Sequence, residues 1–157
     1  SKNHRGSTTE RGLSVIRNYW TSQTGLQHTD ISLSDGSGLS RKNRFSPNAL
    51  SQILIDMISR GDLVTTSFLN SLPLAGREGT VKNFMKDEAI EAYLKSGSMK
   101  GVLGYAGYVR FQGEWYSVVL MGNDFSSSAP VRRAFSDFLL SFFSSAISTK
   151  QVLLKEK

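Results

Sequence analysis

Apolar residues recur at helical spacing near the start of the chain. Leu13, Ile16 and Trp20, with Tyr19 beside them, predict an amphipathic helix over 8–22. Ser7-Thr8-Thr9-Glu10 spells a capping box in front of it, and Gly25 stops it. A second stripe, Leu50, Ile53, Leu54, Met57 and Ile58, follows Ser46-Pro47, where serine is the expected N-cap and proline the first helical residue. Gly61 closes that helix, and a short one is expected over 67–70. Between the first two helices, 34–41 is dense in turn formers and fits neither a helix nor a long strand. Residues 71–80 read as an irregular loop with apolar anchors, 81–86 as one or two helical turns, and 90–95 as a short extended piece. Residues 101–111 and 115–121 read as two strands joined by a Gln112-Gly113 hairpin turn, which pins their register. A polar loop over 123–129 leads into the longest helix, 130–148. Its stripe of Val131, Ala134, Phe135, Phe138, Leu139, Phe142 and Ala146 implies a large contact, with the hairpin as the candidate surface. The residues after Thr149 read as a last short strand or a frayed tail. The order of elements predicts an α/β layered fold in which helices cover an antiparallel sheet.

Composition narrows the chemistry. The 157 residues fit a single domain over 1–157, and 39% hydrophobic with 20% charged residues excludes disorder as a description of the whole. The formal charge of +6 is spread along the chain. Its densest cluster, Arg41, Lys42 and Arg44, is too short for a nucleic-acid tract, so no nucleic-acid partner is expected. The absence of cysteine excludes disulfides, thiolate nucleophiles and cysteine-based zinc sites. His4 and His28 lie in polar, turn-rich surroundings without metal-ligand spacing, so no metal site is expected. No apolar run is long enough to cross a bilayer, and the N-terminus lacks a signal-peptide core. Residues 1–6 read as a truncated or artificial end, and an exported protein would be present here in processed form.

Three glycine-bearing segments, 35–41, 75–79 and 95–101, stand out. Each alone reads as a connecting turn. The spacing at 35–41 does not match a phosphate-binding loop, so nucleotide binding is not expected. Taken in order, they carry a resemblance. Asp35-Gly36-Ser37-Gly38-Leu39-Ser40-Arg41-Lys42-Asn43 is similar to the Asp-Gly-Ser-Gly-Leu-Ser-Arg-x-Asn signature of the DacB-type serine D-alanyl-D-alanine carboxypeptidases and endopeptidases, a family of penicillin-binding proteins. Leu72-Pro73-Leu74-Ala75-Gly76, followed by Gly79-Thr80, resembles that family's Leu-Pro-x-Ala-Gly-x-x-Gly-Thr/Ser loop. Lys95-Ser96-Gly97-Ser98, with Gly101 and Ala106-Gly107-Tyr108-Val109 after it, resembles the Lys-Thr-Gly-Ser strand and its neighbour. The resemblance runs from residue 7 to about 145.

It implies the penicillin-binding transpeptidase/β-lactamase-like fold. It also implies an acyl-enzyme reaction on peptidoglycan stem peptides, acylation by β-lactams, no cofactor, and a periplasmic or cell-envelope location. Lys95 takes the catalytic position, offering a positive field to the substrate carboxylate and to proton movement. Ser96 and Ser98 supply hydroxyl donors, although Ser96 replaces the usual threonine. Gly97 lets the substrate backbone approach, and the strand after it holds the peptide by β-augmentation and lends an N–H to an oxyanion hole. Asp35, Ser37, Ser40, Arg41 and Asn43 mark a site loop.

The family's Ser-x-x-Lys nucleophile is missing. The residues three before the lysines from Lys42 onward are Leu39, Gly79, Asn83, Ala92, Gly97, Ile147, Val152 and Leu154. Ser1-Lys2-Asn3 spells Ser-x-Asn, but His4, Arg5 and Gly6 alone separate it from Ser7, so it reads as a truncation point. The expectation is therefore the C-terminal part of the enzyme, inactive alone, with the missing N-terminal part as its partner. Two other readings stay open. One is a non-catalytic peptidoglycan-binding module. The other is an interaction domain using Tyr105, Tyr108 and Trp115, whose strand spacing favours packing instead.

Overall fold

The computed structural model describes residues 8–86 and 90–155, with 145–155 described as backbone only. Ser7, the expected N-cap, and the Ser1-Lys2-Asn3 tripeptide lie outside the described residues, as do His4 and the side chain of Ala146. The chain forms two compact units that divide after Arg60.

The first unit contains α1 (Thr8–Thr24), β1 (Ile31–Ser32), β2 (Arg44–Phe45) and α2 (Pro47–Ser59). The α2 start follows the sequence reading. Ser46 is extended, its hydroxyl accepts from the Ala49 N–H at 3.0 Å, and Pro47 occupies a position where no N–H is needed. β1 and β2 pair antiparallel, Ile31 with Phe45 and Ser32 with Arg44. This two-stranded clasp was not predicted, and it closes the turn-rich loop at its base. Leu26, Ile31 and Ala49 form a small core, with Trp20, Leu33, Phe45 and Ile53 packed around it. The predicted α1 stripe is only partly buried: Leu13 is covered, but Ile16 and Tyr19 stay exposed. Tyr19 instead accepts a 2.7 Å hydrogen bond from Arg60, whose guanidinium also lies 5.9 Å from its ring centroid and pairs with Asp56.

The second unit holds α3 (Leu63–Ser71), a 3-10 turn (Gly79–Val81), β3 (Glu91–Met99), β4 (Val102–Phe111), β5 (Glu114–Asn123) and α4 (Ser128–Lys155). The strands make an antiparallel sheet in the order β3-β4-β5. Gln112 and Gly113 turn the β4–β5 hairpin with φ of 51° and 85°, the left-handed pair that a two-residue turn requires. The strand predicted to be short, before Lys95-Ser96-Gly97-Ser98, is a nine-residue strand running through that motif. Pairing with β4 along its whole length holds it extended despite Gly97.

Helix α4 covers one face of the sheet with part of the stripe that periodicity suggested, joined by Phe143. Leu139 and Phe143 are buried and Val131 and Phe135 pack against the core, while Phe138 and Phe142 stay 58% and 54% exposed and Ala134 is exposed. Residues one apart on a helix differ by about 100° in direction, so a face rich in phenylalanine on both flanks leaves the choice to the sheet. The exposed pair and β5 residues Tyr116, Val118 and Leu120 line an apolar groove. The helix also continues to Lys155, in place of the strand or frayed tail expected after Thr149.

Two glycines permit this packing. A Cβ on Gly122 would lie 2.9 Å from Val131 Cγ1, so α4 can approach β5 only over a bare backbone. A Cβ on Gly107 would lie 2.1 Å from the Tyr93 carbonyl oxygen, and its φ of 155° suits glycine. Tyr105 stacks on Phe84 at 4.1 Å beneath α4, and Tyr108 meets Phe68 and Trp115 on the opposite face. Both tyrosines are buried, as packing residues should be, and burial pushes the Tyr108 hydroxyl up to about 12. Trp115 is more open, in contact with Tyr93, Tyr108 and the Arg110 guanidinium.

Candidate active site

Strand β3 carries the lysine motif, and alternation decides what each residue presents. Ala92 and Leu94 turn their side chains into the core. Lys95 and Gly97 face the opposite side, where their cross-strand partners are Ala106 and Gly104. Both partners are small, and Lys95 itself is exposed. The Lys95 ammonium donates to the Ser96 carbonyl. Two residues away, burial and then the Glu91 carboxylate raise the Tyr93 hydroxyl above its ordinary pKa, so that phenol is neutral.

The outer edge of β3 is half covered. The segment 72–81 runs beside it as a strap, with Leu74 bridging Tyr93 antiparallel. The Leu94 N–H donates to the Pro73 carbonyl at 3.1 Å, and the Ala75 N–H donates to the Ala92 carbonyl at 2.8 Å. These bonds show that the even-numbered residues of β3 direct their main-chain groups outward. By the same alternation Ser96 and Ser98 offer theirs to that edge, beyond the last strap pairing. The strap is fixed by its own contacts. Glu78 accepts from the Leu74 N–H at 3.1 Å, and the Gly76 N–H donates to the Val81 carbonyl at 3.0 Å. It then brings Thr80 back to the strand, where the Thr80 and Ser96 hydroxyl oxygens are 2.6 Å apart. Sequence reasoning placed Thr80 in a motif but gave no sign of this partner.

The Asp35 loop lies in the first unit, between β1 and β2, and is held by its own side chains. Asp35 accepts from the Asn43 amide at 2.8 Å, the Ser37 hydroxyl at 2.9 Å, and the N–H groups of Gly38 and Ser40 at 3.1 and 2.9 Å. Asn43 returns the contact through its amide oxygen, accepting from the Ser34 and Asp35 N–H groups at 2.7 and 3.2 Å. The Asn43 bond above all holds the Asp35 carboxyl below its ordinary pKa, with Ser37, Gly38 and Ser40 adding to it. Asp35, Ser37, Ser40 and Asn43 are thus brought together as a scaffold, while Leu39 and Arg41 stand at the exposed surface. Ser46-Pro47-Asn48 also spells Ser-x-Asn, yet its serine hydroxyl is engaged in capping α2.

The model of the D-Ala-D-Ala carboxypeptidase 3 (S13) family matches residues 1–141. The chain belongs to this S13 family. D-alanyl-D-alanine carboxypeptidase DacB of Haemophilus influenzae is 29% identical over 108 residues, covering 66% of this chain and 22% of that protein. The crystal structure of penicillin-binding protein 4 (DacB) from the same organism, in complex with a β-lactam, superposes with a TM-score of 0.73 at 24% identity. That match covers 90% of this chain and 35% of that one. A predatory endopeptidase of Bdellovibrio bacteriovorus, in complex with an immunity protein, gives a TM-score of 0.62 at 18% identity, over 85% of this chain and 37% of that one. These likenesses establish the penicillin-binding-protein fold. The S13 chain described here therefore spans about a fifth of its curated relative and about a third of the solved structures.

Proposed function

We propose that this chain is the C-terminal, substrate-holding part of a serine-type D-Ala-D-Ala carboxypeptidase or endopeptidase of the cell envelope. Its partners are the peptidoglycan stem peptide, β-lactams and the N-terminal part of the same enzyme. What supports the reading above all is the outer edge of β3 from Ser96 to Ser98, left beyond the strap beside the exposed charge of Lys95. A peptide added there would gain main-chain hydrogen bonds from Ser96 and Ser98. Gly97, with Gly104 opposite, leaves no side chain in its way. Lys95 would draw the terminal carboxylate, and the Ser98 N–H would stabilise the developing oxyanion.

The reaction is acyl transfer. A serine hydroxyl oxygen attacks the penultimate D-alanine carbonyl, the C–N bond breaks, and the leaving amine takes a proton. Water then hydrolyses the ester and restores the serine. That serine and its lysine are not among these 157 residues, since no Ser-x-x-Lys is present. The chain alone is accordingly inactive.

Intact mass after incubation with penicillin, on this chain and on the protein extended upstream through a Ser-x-x-Lys, tests the reading. A single adduct on the extended protein alone is the expected result. An adduct on this chain by itself would overturn the external nucleophile. An adduct on neither would leave a non-catalytic peptidoglycan-binding module as the better account.

A further inference from the structure

The strap does more than cover half of an edge; it ends the edge. It takes up the Ala92 carbonyl and the Leu94 N–H, so a strand added antiparallel to β3 enters at Ser98 and, past Ser96, meets Pro73 already seated beside Leu94. Its C-terminal end then meets Thr80, which the 3-10 turn holds against Ser96 through the buried anchor Val81. At that point two hydroxyl groups share one contact of 2.6 Å. Each hydroxyl has a single hydrogen to donate. If Ser96 donates to Thr80, the Ser96 hydrogen is used and only the Thr80 hydrogen, on the strap, remains for a ligand. If Thr80 donates to Ser96, the Ser96 hydrogen is released toward whatever acceptor lies at the end of the added strand. A carboxylate there selects the second arrangement, because a chain of aligned donors ending on an anion is strengthened along its length.

We propose that Thr80 is a positioning residue for a peptide's terminal carboxylate: its hydroxyl donates to Ser96 and aims the Ser96 hydrogen at that group. The strap and Thr80 together make β3 a blind-ended edge that takes a chain terminus rather than a strand passing through. This inference rests on the carboxypeptidase reading above and deepens it.

The test uses the extended enzyme and pairs a D-Ala-D-Ala peptide bearing a free carboxylate with its C-terminal amide. Thr80→Val keeps the shape and removes the hydroxyl, and Thr80→Ser restores it. Thr80→Val should raise KM for the carboxylate peptide about tenfold, the value of one hydrogen bond to a charged system, with little change for the amide. Thr80→Ser should recover the original KM. Ser96→Ala and Thr80→Val combined should lose no more than Ser96→Ala alone. Equal losses on both peptides, or losses that multiply in the double variant, would overturn the role of Thr80 while penicillin acylation of the wild type kept the enzyme reading intact. Absence of acylation in the wild type would overturn both.

Discussion

Among the described glycines, Gly107 has the tightest clash with an added methyl group. It sits opposite Leu94, one residue before Lys95. The Cβ of an alanine there would lie 2.1 Å from the Tyr93 carbonyl oxygen and 3.1 Å from Leu94 Cα. Both are backbone atoms, so no side-chain rotation relieves the clash. Ordinary carbon–oxygen contact needs more than an additional ångström, which strands about 4.8 Å apart can provide only by opening their ladder. Overpacking costs about 1–3 kcal/mol and the φ of 155° adds about 1–3 more. Gly107→Ala should therefore cost about 2–6 kcal/mol, a large share of a typical stability of about 5–15. At about 2–4 °C per kcal/mol for a chain of this size, the midpoint should fall by roughly 10 °C. Gly104→Ala is the internal control. It lies on the same strand, its nearest neighbour is the Leu120 carbonyl at 3.5 Å, and its φ needs no glycine. Thermal and urea unfolding followed by circular dichroism compares the two. A Gly107→Ala midpoint within about 2 °C of wild type would refute the reasoning, as would equal loss in both variants.

Two further outcomes follow from the same geometry. The Asp35 carboxyl should titrate below the ordinary aspartate value of about 3.9, read by carbon-detected NMR. A folded-state pKa below the unfolded one stabilises at pH above the unfolded value. That contribution is lost as pH falls through the folded pKa, and Asp35→Asn should abolish the dependence; a value at or above 3.9 would contradict the scaffold role. Lys95→Met in the extended enzyme should slow penicillin acylation by about a hundredfold or more while leaving the unfolding midpoint unmoved, because the side chain is exposed. A stability loss without a rate loss would mean that Lys95 is structural.

The motifs that led to the S13 family were legible because they are short and local, yet their meaning was only partly so. Asp35, Ser37, Ser40 and Asn43 marked a site loop in the sequence, without a sign of how that loop is held. The structure spends them on one another, since a loop with so many turn formers has many N–H groups to satisfy and one carboxylate to do it. Lys95 was rightly placed on a strand, but the strand's length was not visible, because Ser-Gly-Ser is a poor local strand former and only pairing with β4 keeps it extended. The partnership of Thr80 with Ser96 spans sixteen residues, beyond any periodic pattern.

The sequence by itself determined the features whose causes lie within a few residues. The Ser46-Pro47 helix start, the Gln112-Gly113 turn and the existence of a long C-terminal helix depend on caps, backbone preference and spacing, which neighbouring residues carry in full. Tertiary structure alone decided which flank of α4 meets the sheet, why glycine stands at 107 and 122, and where the open edge of β3 stops. Those outcomes depend on which surfaces are brought together and in what register. No local stretch of chain contains that information.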